Sequence, residues 1–293
     1  MPQTGPVFQF AGRAFDLGAR THIMGILNVT PDSFSDGGLF DDPSRAVERG
    51  LEMAAEGADF IDVGGESTRP RGSAYGAGAS DVPADVECAR VLPVIRELAR
   101  LGTVPVSVDT TKADVAQAAL DAGALIVNDV SGFARDPRMP EVIGRAGATA
   151  VVMHMRGTPQ TMQADTAYDD LFGEIEDFLL KALVRGRSHG IRQMFVDPGI
   201  GFGKSARDNY RLLAGLGRFA SLQAPVLVGP SRKAFLGAAL GLPVGERLEG
   251  TIAAVTAAIL AGAHVVRVHD VRAARRASSV ADAIRSAATD SQP

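Results

Sequence analysis

The sequence predicts a single-domain (β/α)8 TIM barrel, and two observations support this fold class. Eight short apolar runs recur at fairly even spacing, and between them lie helical patterns whose apolar positions are three or four residues apart. Each run ends in polar residues, which is typical of parallel strands whose carboxyl ends converge on one site. The predicted strands are residues 22–27, 60–63, 104–108, 125–127, 148–153, 194–196, 225–228 and 265–268.

The segments between the strands predict helices over residues 44–56, 84–100, 112–121, 139–145, 168–188 and 250–260. A glycine stands between a helical pattern and a following apolar run five times, at Gly57, Gly123, Gly147, Gly190 and Gly262. Glycine adopts the left-handed conformation that ends a helix, so each marks a helix-to-strand turn. A doubly wound sheet is the alternative, and it is less favoured because eight βα units fill the chain and leave no linker.

The length of 293 residues suits one barrel, which typically takes about 250. We expect residues 1–20 to form a short N-terminal ribbon that caps the barrel bottom. Residues 21–287 then form the barrel, and residues 288–293 form a disordered tail.

Composition excludes several classes of protein. The net charge is −4 and no block of Lys or Arg interrupts the mixture, which argues against nucleic-acid binding. No apolar stretch reaches about 18 residues, and no signal-peptide pattern opens the chain, so no membrane span is expected. The one cysteine, Cys88, suits a reducing compartment and a packed helix position. A cytoplasmic protein is expected.

Three polar strand endings form a set of hydrogen-bond acceptors. Asp109, Asn128 and Asp197 end the third, fourth and sixth predicted strands, where a buried carboxylate needs donors. Such a set suits a heterocycle that presents several N–H groups. The alternative is that Asp109 and Asp197 only cap the turns that follow them.

A second group of strand endings is basic. Ser231, Arg232 and Lys233 follow the seventh strand, and Arg267 and His269 end the eighth. The loops after these two strands commonly hold phosphate in barrels, and Arg forms charge-assisted hydrogen bonds to it. Surface salt bridges are the alternative, and they suit Arg232 better than Arg267, whose apolar neighbours put it on the inward side.

Two loops complete the set. Residues 30–38 and 66–70 are rich in Gly and Pro and carry an aromatic ring, carboxylates and an arginine, which favours lids over plain surface loops. The glycine-rich run at 199–205 lacks the Walker spacing and predicts close backbone turns rather than a nucleotide loop. The five histidines have no zinc-ligand spacing.

Seven of these segments resemble the dihydropteroate synthase family, and the resemblance spans residues 21–287. The longest are Ile-Met-Gly-Ile-Leu-Asn-Val-Thr-Pro-Asp-Ser-Phe-Ser-Asp-Gly-Gly at 23–38 and Asp-Val-Gly-Gly-Glu-Ser-Thr-Arg-Pro at 62–70. The others are residues 107–110, 128–132, 197–204, 231–233 and 267–270.

The resemblance implies an enzyme that condenses 7,8-dihydropterin-6-ylmethyl diphosphate with 4-aminobenzoate. The products would be 7,8-dihydropteroate and diphosphate, formed by an SN1-like substitution in folate synthesis. It also implies Mg²⁺ as a cofactor and sulfonamide inhibition. It implies a homodimer formed through the last helices as well, where Ala253, Ala254, Ala257 and Ala258 would permit close packing. Two other functions stay open, a pterin-binding paralogue without activity and a methyltetrahydrofolate methyltransferase. Neither of them needs the basic pair Arg267 and His269.

The same resemblance implies roles for individual residues. The pterin pocket would contain Asp109, Asn128, Met153, Asp197, Gly201, Phe202 and Lys233. The diphosphate would bind Asn28, Arg267 and His269, and Asn28 would also reach Mg²⁺. The aminobenzoate would contact Phe34, Thr68, Arg69, Pro70, Lys233 and Ala234, with Ser231 nearby. Catalysis would depend on Asp36, Asp109, Lys233, Arg267 and His269.

The chain departs from the family pattern in two places. Residues 71–77, which include Arg71 and Tyr75, form an extension after Pro70. It is either a surface insertion without effect, since loops accept insertions at low cost, or a modifier of access to the aminobenzoate pocket. Ala234 follows Lys233 where some family members have serine, although a backbone N–H there could still hold a carboxylate.

Overall fold

The structure, a computed structural model, describes residues 6–30, 43–66, 81–158, 160–162 and 164–290. Eight parallel strands form the barrel. They are β3 (His22–Asn28), β4 (Phe60–Gly64), β5 (Val106–Asp109), β6 (Ile126–Asp129), β7 (Thr149–Met153), β8 (Met194–Asp197), β9 (Leu227–Val228) and β10 (Val265–Val268). Each lies within one or two residues of its predicted position.

The barrel runs β8-β7-β6-β5-β4-β3-β10-β9, so most strands pair with their neighbours in the chain. A single parallel bridge between Val196 and Val226 joins β8 to β9 and closes the ring. A doubly wound sheet would instead leave two open edges. The predicted TIM barrel is therefore confirmed, and the carboxyl ends of all eight strands face one mouth.

Nine helices surround the barrel in the described part of the chain. They are α1 (Pro43–Ala55), α2 (Ala84–Leu101), α3 (Ala113–Asp121), α4 (Met139–Ala146), α5 (Leu171–Ser188), α6 (Ala206–Ala214), α7 (Ala234–Leu240), α8 (Leu248–Leu260) and α9 (Val271–Asp290). All five predicted helix-to-strand glycines have positive φ, from 63° at Gly147 to 107° at Gly123.

No bounds were predicted for three of these helices, α6, α7 and α9. Helix α6 buries only Asn209, Leu212 and Leu213, and polar residues fill most of its remaining positions, so it offers few apolar residues from which bounds could be predicted. Helix α9 continues to Asp290, inside the segment predicted as a tail.

A two-stranded ribbon, β1 (Val7–Phe10) and β2 (Arg13–Asp16), covers the end of the barrel opposite the mouth. The Phe8 ring lies 4.8 Å from that of Phe195, and the Phe10 ring lies 5.3 Å from that of Phe60. Both partners are barrel-interior residues near the amino ends of their strands. Aromatic packing therefore seals this end of the barrel.

Two predictions from composition concern features outside the mouth. No helix among the described residues is long and apolar enough to cross a membrane. Cys88 lies on α2, half-buried against the core, and burial raises the pKa of its thiol, which disfavours the reactive thiolate.

Candidate active site

Strand register brings three predicted site residues and one glycine to the same level of the barrel mouth. Asn28 pairs with Gly64, Gly64 with Asp109, and Asp109 with Asn128. A Cβ on Gly64 would lie 3.8 Å from Asn28 Oδ1 and 3.8 Å from Asp109 Oδ2, so these two side chains meet over a glycine. Glycine at this position leaves the space between them open.

Arg267 is the centre of the site. It projects from β10 into the barrel, where its Nε donates to Asp62 Oδ2 at 2.6 Å and its Nη2 donates to Asp109 Oδ2 at 2.6 Å. Asn128 Nδ2 donates to the same Asp62 oxygen at 2.9 Å. The guanidinium therefore links β10 to β4 and β5, and Asn128 on β6 joins this network through Asp62. The inward orientation predicted for Arg267 is correct.

Asp62 is the residue that sequence reasoning missed. It is fully buried, and its Oδ1 has no hydrogen-bond partner among the described residues. The available signal was an aspartate within the apolar run Phe-Ile-Asp-Val, on the same side of the strand as Gly64. Its partner Arg267 lies 205 residues away in the chain, so no local pattern could reveal the pairing.

Burial sets the charges of this cluster. It raises the pKa of Asp109 to about 7, against the opposing effect of Arg267. It would lower the pKa of Arg267, but the carboxylates of Asp62 and Asp109 outweigh it and the pKa is raised. The site thus combines a permanent cation with a carboxyl group that titrates near neutral pH.

Asp197 and Lys233 are a second pair of ionisable residues in the mouth, and each shifts the pKa of the other without a salt bridge between them among the contacts of the described residues. Asp197 Oδ1 accepts from the Gly199 N–H at 2.7 Å, so the predicted alternative of a turn cap applies to one of its two oxygens. Burial raises the pKa of Asp197, with Lys233 opposing, and lowers the pKa of Lys233 to about 7, with Asp197 opposing. For Asp109 the alternative fails, because Thr110 Oγ1 accepts from Lys112 N at 3.3 Å in the following turn.

The glycine-rich loop after β8 fits closely around Lys233. Lys233 Nζ lies 4.4 Å from the centre of the Phe202 ring and donates to the carbonyl of Ile200. A Cβ on Gly201, whose φ is +82°, would lie 2.5 Å from Lys233 Cδ. The glycine at 201 thus permits close approach, but the group that approaches it is the Lys233 side chain, and close approach to a ligand stays a prediction.

Lys204 ends this loop and is turned into the protein. Its Nζ donates to the carbonyl of Phe202 at 2.9 Å and lies 3.0 Å from His154 Nδ1. Burial lowers the pKa of Lys204 to about 7 and that of His154 to about 3. A helix does follow the loop, but with its lysine turned inward the segment is no phosphate-binding Walker loop, in agreement with the prediction.

Side chains at the ends of β9 and β10 contact one another in two places. Ser231 Oγ lies 3.0 Å from His269 Nδ1, and Arg232 binds Asp270 through two hydrogen bonds of 3.0 and 2.6 Å. Arg232 thus forms the salt bridge that was its alternative interpretation. Ala234 begins α7 directly after Lys233.

Lys112 anchors the polar ending of β4. Its Nζ donates to Glu66 and, at 2.6 Å, to Glu87, whose side chain is fully buried. A cavity of about 410 Å³ opens beside these groups and reaches the site through Asp109. Phe34, Asp36, Thr68, Arg69 and Pro70, and the extension at residues 71–77, lie outside the described residues.

The described residues include no cluster of three or more His, Cys, Asp or Glu side chains that could hold a metal. Asn28 contributes one amide oxygen beside Asp109. Few protein oxygens are therefore available here for Mg²⁺. They fit this ion only if water and substrate phosphates supply most of its ligands, as is usual for Mg²⁺.

Comparison with known proteins identifies the class to which this fold and site belong. Residues 24–269 match the family model described as pterin binding enzyme. The chain is 46% identical over 273 residues to the dihydropteroate synthase of Synechocystis sp., covering 92% of each chain.

Two solved structures agree with that match. The Yersinia pestis dihydropteroate synthase with a sulfonamide drug complex superposes with a TM-score of 0.88 at 40% identity, covering 96% of this chain and 100% of that one. The Xanthomonas albilineans dihydropteroate synthase with 4-aminobenzoic acid gives 0.86 at 41% identity, covering 99% and 100%. The chain therefore belongs to the dihydropteroate synthase family, and the resemblance found in its sequence is confirmed.

Proposed function

We propose that this protein condenses 7,8-dihydropterin-6-ylmethyl diphosphate with 4-aminobenzoate, giving 7,8-dihydropteroate and diphosphate in folate synthesis. The observation that carries the proposal is the Arg267 cluster. A buried cation is joined to two carboxylates at the barrel mouth, beside a second pair formed by Asp197 and Lys233. Such a mouth can bind a heterocycle and an anionic leaving group at the same time.

The acceptors suit a pterin ring. Asp62 Oδ1 is buried without a partner among the described residues, and Asp197 uses only one oxygen for its turn. Ring N–H groups would satisfy such acceptors, which are costly to leave unpaired. Asn128 and Lys233 add further polar contacts, and Met153, paired with Asp197 across β7 and β8, adds apolar surface.

The reaction breaks the C–O bond between the pterin methylene and diphosphate, and both electrons leave with the diphosphate oxygen. The aniline is a weak nucleophile, so the rate acceleration must come from making the methylene carbon cationic. Asp109 and Asp197 offset the positive charge that develops on the pterin. The amine nitrogen then forms the C–N bond and loses one proton to solvent.

The leaving group would bind Arg267, His269 and Asn28. Arg267 Nη1 makes no hydrogen bond with the described residues, so it can donate to an anion while the other two nitrogens hold Asp62 and Asp109. When bound, Mg²⁺ would neutralise charge on the diphosphate, and Asn28 is the residue that would contact it. The roles of these three residues and of Mg²⁺ are part of the proposal.

The aminobenzoate side depends on Lys233, Ser231 and Ala234, together with the predicted contacts Phe34, Thr68, Arg69 and Pro70. Lys233 would serve both substrates because it lies between the pterin acceptor Asp197 and the start of α7. Asp36 would help to order the closed site. Exclusion of water matters in this mechanism, because water would otherwise capture the pterin cation.

A diphosphate-release assay tests the proposal. Purified protein is given the dihydropterin diphosphate with Mg²⁺, with and without 4-aminobenzoate, and both diphosphate and dihydropteroate are measured. We expect equal amounts of the two products only when both substrates are present, and competition between a sulfonamide and 4-aminobenzoate. Pterin binding without diphosphate release would reject the synthase and leave a non-catalytic paralogue.

We also propose a cytoplasmic homodimer. Apolar side chains on α7, α8 and α9 are exposed, among them Leu240, Leu260, Val280 and Ile284, and these support a second copy as the partner. The predicted packing of four alanines on α8 needs correction. Ala254 and Ala258 are buried within the protomer, because they lie on the core side of the helix, and only Ala253 and Ala257 are exposed. Sedimentation analysis would give the oligomeric state.

A further inference from the structure

Arg232 stands between two residues of the proposed site in a backbone conformation that is unusual for its type. Its φ is +58°, while Ser231 precedes it and Lys233 follows it. A residue with a Cβ keeps this left-handed conformation only when its surroundings fix it, and such residues cluster at functional sites.

Three contacts hold Arg232, and each comes from a different residue. Its N–H donates to Thr251 Oγ1 at 3.0 Å, and its carbonyl accepts from Arg247 Nη1 at 3.1 Å. Thr251 is fully buried and Arg247 is 5% exposed, so both backbone contacts lie inside the protein. The guanidinium of Arg232 binds both oxygens of Asp270, at 2.6 and 3.0 Å.

The Arg232–Asp270 ion pair affects the residues next to its two members in the chain. Asp270 follows His269 directly, so the ion pair fixes the end of β10 against the end of β9. In the same place Ser231 Oγ accepts from the His269 N–H at 3.3 Å and lies 3.0 Å from His269 Nδ1. A shift of either strand end would change the position of Ser231 and Lys233 relative to His269.

We propose that Arg232 and Asp270 are positioning residues of the reaction. They align the strand end that carries Ser231 and Lys233, on the aminobenzoate side, with the strand end that carries His269, on the diphosphate side. This inference rests on the proposed function. The guanidinium itself is engaged by Asp270 and acts on substrates only through its neighbours.

The test compares two ion pairs of similar geometry. Asp270→Asn removes the charge that binds Arg232. Asp114→Asn removes one of the two carboxylates that bind Arg138, through bonds of 2.9 and 3.0 Å between α3 and the start of α4, and leaves Asp136 as the other partner. We expect kcat of Asp270→Asn to fall about tenfold, as for a misaligned pair of reactants, with little change in KM of the dihydropterin diphosphate. Asp114→Asn should keep wild-type kcat.

Two further variants keep the test decisive. Asp270→Glu retains the carboxylate and should recover part of kcat. Arg232→Gly keeps the left-handed backbone without strain and removes the pair, so it should lose kcat as Asp270→Asn does, even if Asp270→Asn folds poorly. Melting curves of all variants show whether stability alone is affected.

The outcomes separate the two claims. Full kcat in both Asp270→Asn and Arg232→Gly, or equal losses in Asp114→Asn, would overturn the positioning role and leave the proposed function intact. A wild-type protein that releases no diphosphate with both substrates rejects the proposed function, and this inference with it.

Discussion

The two ends of β4 carry buried Asp–Arg clusters of opposite composition. At the sealed end, Asp59 binds Arg20 and Arg275 and also accepts from the Ile23 N–H at 2.8 Å. At the mouth, the single Arg267 binds both Asp62 and Asp109. Asp59 and Asp109 have the same exposed fraction, 9%, so burial alone does not distinguish them.

The ratio of arginines to carboxylates in each cluster explains why the pKa values of Asp59 and Asp109 shift in opposite directions. Burial opposes ionisation of Asp59, but its two arginines outweigh burial and its pKa is lowered. Asp109 shares one arginine with Asp62, burial prevails, and its pKa rises to about 7. A cluster with excess cation fixes a stable ion pair, whereas a cluster with excess carboxylate keeps unsatisfied acceptors for a ligand. We therefore assign the first to stability and the second to chemistry.

The largest expected effect is on catalysis at the mouth. Asp109→Asn should lower kcat by roughly 10²–10³-fold, because the carboxylate no longer offsets charge on the pterin cation. Its stability should change little, since a carboxyl with a pKa near 7 is often neutral when folded. Steady-state kinetics and thermal unfolding measure both, with Asp114→Asn as the control. Unchanged turnover would contradict the assignment of Asp109.

The matching change at the sealed end should act on stability instead. Asp59→Asn leaves Arg20 and Arg275 without a carboxylate and should lower the free energy of unfolding by roughly 1–3 kcal/mol. The cost stays in this range because the Arg20 side chain is 45% exposed and water can solvate it. Denaturant unfolding and kcat at a temperature where the variant is folded give the comparison. A selective loss of kcat would break the division between the two ends.

The pH dependence should run in opposite directions for the two carboxyls. The pKa of Asp109 is raised on folding, so its contribution to stability is present below the ordinary value of 3.8 and is lost as the pH rises through about 7. The pKa of Asp59 is lowered, so its contribution is present above 3.8 and is lost as the pH falls. Unfolding free energies of wild type, Asp109→Asn and Asp59→Asn between about pH 4 and pH 8 would show both slopes.

The same ionisation should appear in activity. As Asp109 is protonated below about pH 7, kcat/KM of the wild type should fall by up to about tenfold per pH unit. The residual activity of Asp109→Asn should lack this fall below about pH 7, the acid limb of the pH profile. A limb that persists in the variant would assign it to another group, and Lys233, whose pKa is lowered to about 7, would be examined next.

The smallest expected effect compares a glycine at the mouth with one at the opposite end. Gly201→Ala and Gly147→Ala should each lose roughly 1–2 kcal/mol of stability, because φ is positive at both. Only a Cβ on Gly201 meets a neighbour, Lys233, whereas nothing lies within 4 Å of one on Gly147. A several-fold drop in kcat/KM should therefore appear in Gly201→Ala alone. Equal kinetics in the two variants would remove Gly201 from the site.

Much of the fold could be predicted because its signals are local. Apolar runs of strand length, helical periodicity and a glycine at each helix-to-strand turn all depend on residues close in the chain. The structure reproduces the predicted strands within one or two positions and the predicted helices within three. The exceptions have local causes as well, since α6 buries only two apolar residues, Leu212 and Leu213. The site residues at strand ends were found for the same reason, because the end of an apolar run is visible in the sequence.

By itself the sequence determined the barrel, the family and the group of polar strand ends. Only the tertiary structure decided how those ends pair. It joins Arg267 to Asp109, 158 residues away, and brings in Asp62, which opens the motif at 62–70 but had been given no role. It also buries Ala254 and Ala258 and holds Arg232 at a positive φ. Strand order and register fix these pairings across the barrel, and the resulting ratio of buried charges sets the pKa values, which no sequence pattern encodes.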